Sequence, residues 1–279
     1  MIKEQENQEQ KLAYMQQDII ITKRMDQIKH KIAVMSGKGG VGKSTMAVNI
    51  AASFANKGYK TGIMDVDIHG PNVPKMLKIG KIGLKVNEEG ILPVEAGENL
   101  KVMSSQFLLS DENSPIIWRG PKKTAAIRQF LSDVSWGNLD ILIIDCPPGT
   151  GDEHLAILQS IPSIDGIIMV TTPHTVSLDD VEKSINMVRH LKIEVLGIVE
   201  NMSGLICPEC ETEIPIFGNG GGSEIASKTG IQLLGAVPIE VSPKEHSGLL
   251  IENEESKTSE KILKIVAKIE NMVLNNGST

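Results

Sequence analysis

Short apolar runs alternate with amphipathic segments along most of this chain. Nearly continuous apolar runs are typical of strands covered on both faces, and they occur at 31–36, 61–65, 139–145, 166–172, 194–199 and 233–237. Two shorter strands are predicted at 91–94 and 100–103. Apolar residues at helical spacing predict helices at 45–57, 122–134, 153–160, 177–190 and 223–229. Alternating strands and helices imply crossover units, so the pattern predicts an α/β fold with a doubly wound, mainly parallel sheet flanked by helices.

The two ends of the chain differ from this centre. Residues 1–28 are rich in Gln, Glu and Lys and predict a polar arm, frayed or helical, ahead of a single domain at 29–279. Residues 259–274 form an amphipathic stretch. Its apolar side carries Ile262, Ile265, Val266, Ile269 and Val273. A basic helix of this kind can lie on a membrane, but Glu260 and Glu270 dilute its charge, which favours packing on the core.

Composition narrows the classes of function. The net charge of −7 and an aromatic content of 3% argue against nucleic acid and anionic membrane as partners. No apolar run is long enough to span a bilayer, and the polar N-terminus is no signal peptide. The three cysteines are an odd number with two in one C-x-x-C, so they do not indicate a secreted disulfide framework. The composition therefore predicts a cytoplasmic protein.

One glycine-rich segment between a predicted strand and a predicted helix fits the motif G-x-x-x-x-G-K-S/T. This is the phosphate-binding P-loop, in which backbone N–H groups and a helix N-terminus face phosphate oxygens. Lys43 would reach the β- and γ-phosphates of ATP, and the Ser44 hydroxyl would bind Mg²⁺. The predicted nucleotide-binding residues are Gly37, Lys38, Gly39, Gly40, Val41, Gly42, Lys43, Ser44 and Thr45.

Carboxylates follow two of the predicted strands at the edge where the P-loop lies. Asp145 ends the most apolar strand, where an ATPase places a Mg²⁺-binding aspartate, although it could simply cap the following loop. Asp65 and Asp67 follow the second strand, and a nearby Mg²⁺ would let both remain ionised.

The segment Cys207-Pro-Glu-Cys210 has the spacing of a metal or cluster ligand pair. A structural zinc site and a 4Fe–4S cluster each require about four ligands, and the chain offers only Cys146 besides this pair. Two copies related by a two-fold axis would supply four thiolates. A thioredoxin-like redox pair, a zinc knuckle and an inert loop stay open as alternatives.

The sequence K-G-G-V-G-K-S resembles the deviant P-loop of the MinD/ParA/nitrogenase-reductase class of ATPases. Further motifs resemble its Mrp/ApbC branch, the ATPases that carry iron–sulfur clusters: D-V-D-I-H-G-P, W-R-G-P (118–121), I-I-D-C-P-P-G-T-G-D, V-T-T-P-H-T-V-S-L-D-D, E-N-M-S-G, C-P-E-C and I-F-G-N-G-G-G. The matches run in order from about residue 31 to 248. The resemblance implies a homodimer that sandwiches two ATP molecules, with Lys38 reaching the nucleotide of the second subunit.

The resemblance also implies roles for individual residues. Lys38, Lys43 and Asp67 would be catalytic, with Asp67 orienting the attacking water. Asp65 and Asp145 would hold Mg²⁺. Asp152 would belong to a nucleotide-sensing loop, and the adenine would meet Asn201, Pro238 and Ile239. Cys207 and Cys210 of both subunits would hold a 4Fe–4S cluster for transfer to apo-proteins, with slow ATP hydrolysis as the switch.

The remaining cysteine, three histidines and two alternative functions were also considered. Cys146 is expected to pack as a small apolar residue, and His69, His174 and His190 to be structural. A partition or positioning ATPase would explain the P-loop and the aspartates but not C-P-E-C. An ATP-driven electron donor would need cluster cysteines far apart in the sequence.

Overall fold

The computed structural model is a mixed, mostly parallel sheet with helices on both faces. The residues that the structure describes are 2–68, 70–80, 82–108, 120–149, 151–174, 178–218, 220–241, 249–253 and 255–275. The strands are β1 Ile28–Ser36, β2 Thr61–Asp65, β3 Val86–Asn87, β4 Gly90–Ile91, β5 Val94–Gly97, β6 Leu100–Ser104, β7 Leu139–Asp145, β8 Gly166–Thr171, β9 Val195–Ile206, β10 Glu213–Ile214 and β11 Leu233–Glu240. The α-helices are α1 Ile2–Met25, α2 Lys43–Asn56, α3 Val73–Met76, α4 Gly120–Asp133, α5 Asp152–Ser160, α6 Leu178–His190, α7 Gly221–Thr229 and α8 Lys257–Val273.

The strand order confirms the predicted doubly wound α/β fold. The main sheet runs β10-β9-β8-β1-β7-β2-β6-β5, and β11 pairs with β9. Every pairing in it is parallel except β9 with β10 and β5 with β6. The strand that leads into the P-loop, β1, lies between β7 and β8. The C-terminal ends of β1, β2 and β7 therefore meet at one edge, where parallel sheets bind ligands.

The core lies in two layers because successive strand residues point to opposite faces of the sheet. On one face, Ala33 and Met35 of β1 pack in a cluster with side chains of α1, α4, α5, α6 and α7. On the other face, Ile32 and Val34 pack with side chains of α2, α3 and α8. These four residues of β1 are fully buried. The P-loop therefore follows a central strand whose last six residues are all buried.

The predicted polar arm is largely helix α1. Ile21 and Met25 are buried and join the core cluster that contains α4. Other large apolar side chains of this helix are exposed, namely Leu12, Tyr14, Met15, Ile19 and Ile20. Arg128 of α4 secures the contact: its Nε donates to Gln17 Oε1 at 3.1 Å, and its Nη2 pairs with Asp18 Oδ1 at 2.6 Å. The last residue assigned to the arm, Ile28, is already the first residue of β1.

Two strand predictions were wrong in their bounds. The strand expected at 91–94 is divided, because Ile91 ends a two-stranded hairpin with Val86 while Val94 begins β5, paired antiparallel with β6. Pro93 lies between the two pieces and has no N–H to donate to a ladder. The strand expected at 194–199 continues to Ile206 as β9, since β10 and β11 both pair with its second half.

The C-terminal helix α8 packs on the core, as its pattern favoured. Its five predicted apolar residues, Ile262, Ile265, Val266, Ile269 and Val273, are at most 8% exposed. Ser256 caps the helix by accepting the N–H of Ser259 at 3.1 Å. Among the helices that the structure describes, none has the length and apolar character needed to cross a membrane.

Candidate functional site

The P-loop adopts a backbone that its glycines permit. Gly40 and Gly42 have φ values of +80° and +83°, the left-handed region that costs a residue with a Cβ about 1–2 kcal/mol. Gly42 is the N-cap of α2 and no side chain caps the helix, so its first N–H groups are open to phosphate oxygens. Gly37 approaches α6 so closely that a Cβ there would lie 2.6 Å from the carbonyl carbon of Asp180. The loop therefore has the geometry of a phosphate cradle.

Lys43 and Asp145 form a buried ion pair at the base of this loop. Lys43 Nζ contacts Asp145 Oδ1, and the two side chains are 6% and 0% exposed. Lys43 Nζ also donates to Ser44 Oγ at 3.3 Å. Burial raises the pKa of Asp145, while Lys43 and the Ser44 hydroxyl act in the opposite direction. The structure thus brings the P-loop lysine, the serine predicted to bind Mg²⁺ and the strand-end aspartate together, as the sequence predicts.

Asp65 lies beside Asp145 because the two residues are register partners on β2 and β7. Its carboxylate accepts hydrogen bonds from the Ser104 hydroxyl at 3.0 Å and from the Val73 N–H at 3.3 Å. Burial, followed by the charge of Asp145, raises the pKa of Asp65 to about 7. Two adjacent buried carboxylates near a single lysine can both be ionised only if further positive charge, such as a bound cation, lies close to them.

Mg²⁺ fits this donor set. Asp145 Oδ2 is buried and has no hydrogen-bond partner among the described residues, so it is an acceptor available to a cation or its water. The Ser44 hydroxyl lies next to it. Magnesium typically takes one or two carboxylates together with water and substrate phosphates, which matches Ser44, Asp145 and Asp65 better than an all-protein cage would.

Asp67 is placed on the loop that follows β2. Its Oδ1 accepts the N–H of Gly70 at 3.1 Å, and its carbonyl accepts from the Ser105 hydroxyl at 3.1 Å. The side chain is 8% exposed. Asp152 begins α5, but its side chain lies outside the described residues, as do His69, Trp118 and Arg119.

The predicted adenine residues border the same edge of the sheet. Asn201 Nδ2 donates to the carbonyl of Val41 at 2.9 Å, which ties β9 to the P-loop across 160 residues of sequence. Pro238 and Ile239, at the end of β11, line one cavity with Asn201 and with Thr45 at the start of α2. The structure therefore brings the predicted base-binding residues to the P-loop, on the side where α2 begins.

The C-x-x-C motif forms the turn between β9 and β10, outside any helix. Cys207 N–H donates to the Thr212 carbonyl at 3.0 Å, and Glu211 N–H donates to the Cys207 carbonyl at 2.9 Å, which closes the turn. Cys207 is half-buried and Cys210 is exposed. A hydrogen bond with the Thr212 side chain is the main cause that lowers the pKa of the Cys210 thiol. Both features favour thiolate chemistry at the surface.

The third cysteine has the opposite character. Cys146 is fully buried, and burial raises the pKa of its thiol to about 12. It packs in the core cluster beside the strand-end aspartate, as expected of a small apolar residue. Within the described ranges, no group of three or more His, Cys, Asp or Glu side chains is arranged to hold a metal ion. One copy therefore presents two accessible thiols.

The nucleotide edge and the C-x-x-C turn open on one cavity of about 930 Å³. Thr45 and Asn201 line one part of it, and Cys207, Glu211 and Lys257 line another. Lys257 secures the turn to the start of α8, since its Nζ pairs with Glu211 Oε2 at 2.8 Å. The two predicted sites are thus neighbours in space as well as on β9.

Two further residues were not identified from the sequence. His154 is 1% exposed on α5 and hydrogen-bonds through Nε2 to the Pro147 carbonyl at 2.7 Å, which anchors the loop after Asp145. Lys257 secures the cysteine turn. Neither residue has a sequence signal, because each contact depends on the meeting of distant elements. His190 is exposed at the end of α6, and His174 is also exposed.

Comparison with known proteins agrees with this geometry. The family model described as ParA, NUBPL iron-transfer P-loop NTPase, matches residues 27–270. An iron–sulfur cluster carrier protein of Methanocaldococcus jannaschii is 52% identical over 256 residues, covering 91% of this chain and 88% of its own. The cytosolic Fe–S cluster assembly factor nubp2 of Danio rerio is 50% identical over 221 residues, covering 77% and 82%.

Solved structures give the same result. The nucleotide-binding protein of Archaeoglobus fulgidus in complex with ADP has a TM-score of 0.71 and 38% identity, covering 91% of this chain and 93% of its own. The cell division ATPase MinD of Pyrococcus furiosus has a TM-score of 0.60 at 21% identity and shares the fold. The chain therefore belongs to the ParA family of iron-transfer P-loop NTPases and is an ATP hydrolase.

Proposed function

We propose that this chain is a homodimeric, Mg²⁺-dependent ATPase that carries a 4Fe–4S cluster and delivers it to apo-proteins in the cytoplasm. Cys207 and Cys210 of each copy hold the cluster. The observation that carries the proposal is the cavity of about 930 Å³ that joins the predicted adenine residues to Cys207. The names of the archaeal and fish relatives support the cargo and the compartment.

The residues at the P-loop have separate roles in ATP hydrolysis. The open N–H groups at the start of α2 bind phosphate oxygens, and Lys43 exchanges its partner Asp145 for the β- and γ-phosphates. Ser44, Asp65 and Asp145 would hold Mg²⁺, which would neutralise charge on the phosphates. Asp67 orients the attacking water. Lys38 is half-buried in the loop and reaches the nucleotide of the second copy, as an arginine finger does.

The strand β9 connects hydrolysis with the cargo. Asn201, the adenine residue, and Cys207 are separated by five residues of continuous strand. Met202 within this strand has a φ of +58°, and the pairing with β11 shifts register between Val237 and Ile239. An irregularity of this kind bends a strand and changes the direction of the residues that follow it. A change in nucleotide at Asn201 therefore alters the aim of the cysteine turn and gates loading or release of the cluster.

The partition or positioning ATPase receives less support. The fold is shared with MinD, but fold alone does not assign a function. The apolar side of α8, which a membrane-binding helix would use, is buried against the core. The exposed C-x-x-C turn also has no part in that function.

Anaerobic reconstitution of the cluster tests the proposal. The parent protein is expected to bind about four irons and four sulfides per dimer, and Cys207→Ala/Cys210→Ala to bind neither. Cys146→Ala is the matched control, because its buried thiol is not a ligand, and it is expected to bind the parent's amount. Stoichiometric zinc without sulfide, or no metal, would contradict the proposal.

A further inference from the structure

One buried amide side chain connects helix α2 with a distant segment of the chain. Asn49 lies four residues after Thr45 on α2 and is 0% exposed. Its Nδ2 donates to the Thr45 carbonyl at 2.8 Å. Its Oδ1 accepts the N–H of Leu250 at 2.7 Å and the N–H of Ile251 at 3.2 Å. Because a polar group at this depth is costly unless it is hydrogen-bonded, these bonds fix the orientation of the amide.

The two N–H groups that Asn49 accepts open a single turn of 3₁₀ helix, Leu250–Glu252. The first N–H groups of a helical turn have no partner within the turn, and a side chain commonly caps them. Leu249 stands at the N-cap position, and its apolar side chain cannot accept a hydrogen bond. Asn49 therefore caps this turn from another helix, 201 residues earlier in the sequence than Leu250.

The capped turn borders the cavity beside the P-loop. We call residues 249–253 the wall segment, because Leu249, Leu250, Glu252 and Asn253 line the same cavity of about 930 Å³ as Thr45 and the predicted adenine residues. Leu249 and Leu250 are half-buried, whereas Glu252 and Asn253 are exposed. Ligand pockets typically combine an apolar lining with a few polar groups. The wall segment therefore offers a second side to a base that lies beside Asn201.

Two kinds of contact hold the wall segment. Ile251 is 8% exposed and packs in the core cluster that contains α2 and α8. Apolar contacts of this kind are not directional, whereas hydrogen bonds are, so the bonds from Asn49 set the orientation of the turn relative to α2. The start of α2 is also where the phosphates of a nucleotide are expected to bind. Asn49 thus relates the position of the wall segment to that of the P-loop.

We propose that Asn49 is a positioning residue for ATP: it holds the wall segment at the distance from the P-loop at which the adenine fits between that segment and Asn201. The inference rests on the predicted placement of the adenine, and it does not depend on the cluster. Asn49 acts through the wall segment, since its own side chain is fully buried. Its loss is therefore expected to weaken binding of the base and to leave binding of the phosphates and the hydrolysis step unchanged.

The test compares two ligands that share a triphosphate chain and differ in the nucleoside. The dissociation constants of ATPγS and of tripolyphosphate, each with excess Mg²⁺, are measured on the full chain by isothermal titration calorimetry. Their ratio isolates the contribution of the nucleoside, because a change at the P-loop affects both ligands. In Asn49→Ala the ratio is expected to change at least about tenfold, or about 1.4 kcal/mol, through weaker binding of ATPγS. The KM for ATP should rise by a similar factor, with kcat within about twofold of the parent's.

Three further variants complete the design. Asn49→Asp keeps an oxygen that accepts from the wall segment, so its ratio should stay within about threefold of the parent's, and the effect of its charge on the triphosphate cancels from the ratio. Ser53→Ala is the matched control: it removes a buried hydroxyl that donates to the Asn49 carbonyl at 2.6 Å and leaves the bonds to the wall segment in place. Should Asn49→Ala fail to fold, Asn49→Ser replaces it, because a serine hydroxyl bonds within its own helix and is too short to reach the wall segment.

The outcomes separate this inference from the adenine placement on which it rests. An unchanged ratio in the alanine or serine variant overturns the inference and leaves the placement intact. Equal weakening of both ligands would show that Asn49 supports the P-loop itself, and a tenfold change in Asn49→Asp would show that the bond to Thr45 is the one that matters; either result overturns the inference. A parent that binds tripolyphosphate as tightly as ATPγS has no base site in the cavity, which overturns the placement and the inference together.

Discussion

Replacement of Gly42 by alanine tests how the P-loop is tied to β9. Gly42 has a φ of +83°, and a Cβ there would lie 2.1 Å from Asn201 Nδ2, far inside van der Waals contact. Asn201 must then give up its 2.9 Å hydrogen bond to the Val41 carbonyl. Two separate costs are therefore expected: left-handed strain, and a buried acceptor left without its donor.

The magnitudes of these costs can be separated. Left-handed backbone costs an alanine about 1–2 kcal/mol, and a buried acceptor that loses its partner costs about 1–3 kcal/mol. We expect Gly42→Ala to lower the free energy of unfolding by about 2–5 kcal/mol. Gly58, after the other end of α2, is the matched control: its φ is +90°, and a Cβ there would meet no described atom within 4 Å. Gly58→Ala should cost the strain alone, about 1–2 kcal/mol.

The assay is urea unfolding of the nucleotide-free protein, followed by circular dichroism, for four variants. Besides the two glycine variants, Asn201→Ala and Gly42→Ala/Asn201→Ala complete a double-mutant cycle. With Asn201 removed, the added cost of Gly42→Ala should fall to that of Gly58→Ala. The reasoning is refuted if Gly42→Ala costs no more than Gly58→Ala, or if its cost is undiminished without Asn201.

Three further predictions concern the thiols and the buried histidine. Native thiol titration should modify Cys207 and Cys210 but leave Cys146 unreacted until the chain is denatured; a third fast thiol would contradict its burial. Because the Thr212 side chain is the main cause that lowers the pKa of Cys210, Thr212→Val should move the pH profile of iodoacetamide alkylation upward in a Cys207→Ser background, and an unmoved profile would exclude that cause. Burial lowers the pKa of His154, so below about pH 6.5 the unfolded state binds a proton that the folded state does not, and stability falls as the pH is lowered. In His154→Leu, the slope of unfolding free energy against pH between 5 and 6.5 should decrease by up to about 1.4 kcal/mol per pH unit, whereas an equal slope in both proteins would indicate a histidine that is charged when folded.

The parts of the site that are local in sequence could be predicted from it. The P-loop is formed by one strand, one turn and one helix that are consecutive in the sequence. The apolar run that ends at Asp145 predicts a central strand, and so places Asp145 at the same edge of the sheet. The length of β9 could not be predicted, because Leu205 and Ile206 become strand by pairing with β10 and β11. No periodicity near residue 200 encodes partners that lie farther along the chain.

Contacts between distant elements could not be predicted either, because the local sequence does not encode the partner of each residue. The sequence singles out Asn201 within a motif, but its bond to Val41 requires β9 to pass the P-loop. The sequence around His154 predicts an ordinary helical residue. Its contact with the Pro147 carbonyl depends on how α5 packs against the loop after Asp145. Helix α1 reads as a polar arm because Ile21 and Met25 gain their burial only when α4 is present.

The docking of α1 on α4 has a consequence for synthesis of the chain. Gln17 and its partner Arg128 are 111 residues apart, so at about 5–20 residues per second the ribosome takes roughly 6–22 s to supply the partner. During that interval Ile21 and Met25 have no α4 to cover them. Helix α1 therefore emerges well before the helix on which it docks, and it is a segment on which a nascent-chain chaperone would act.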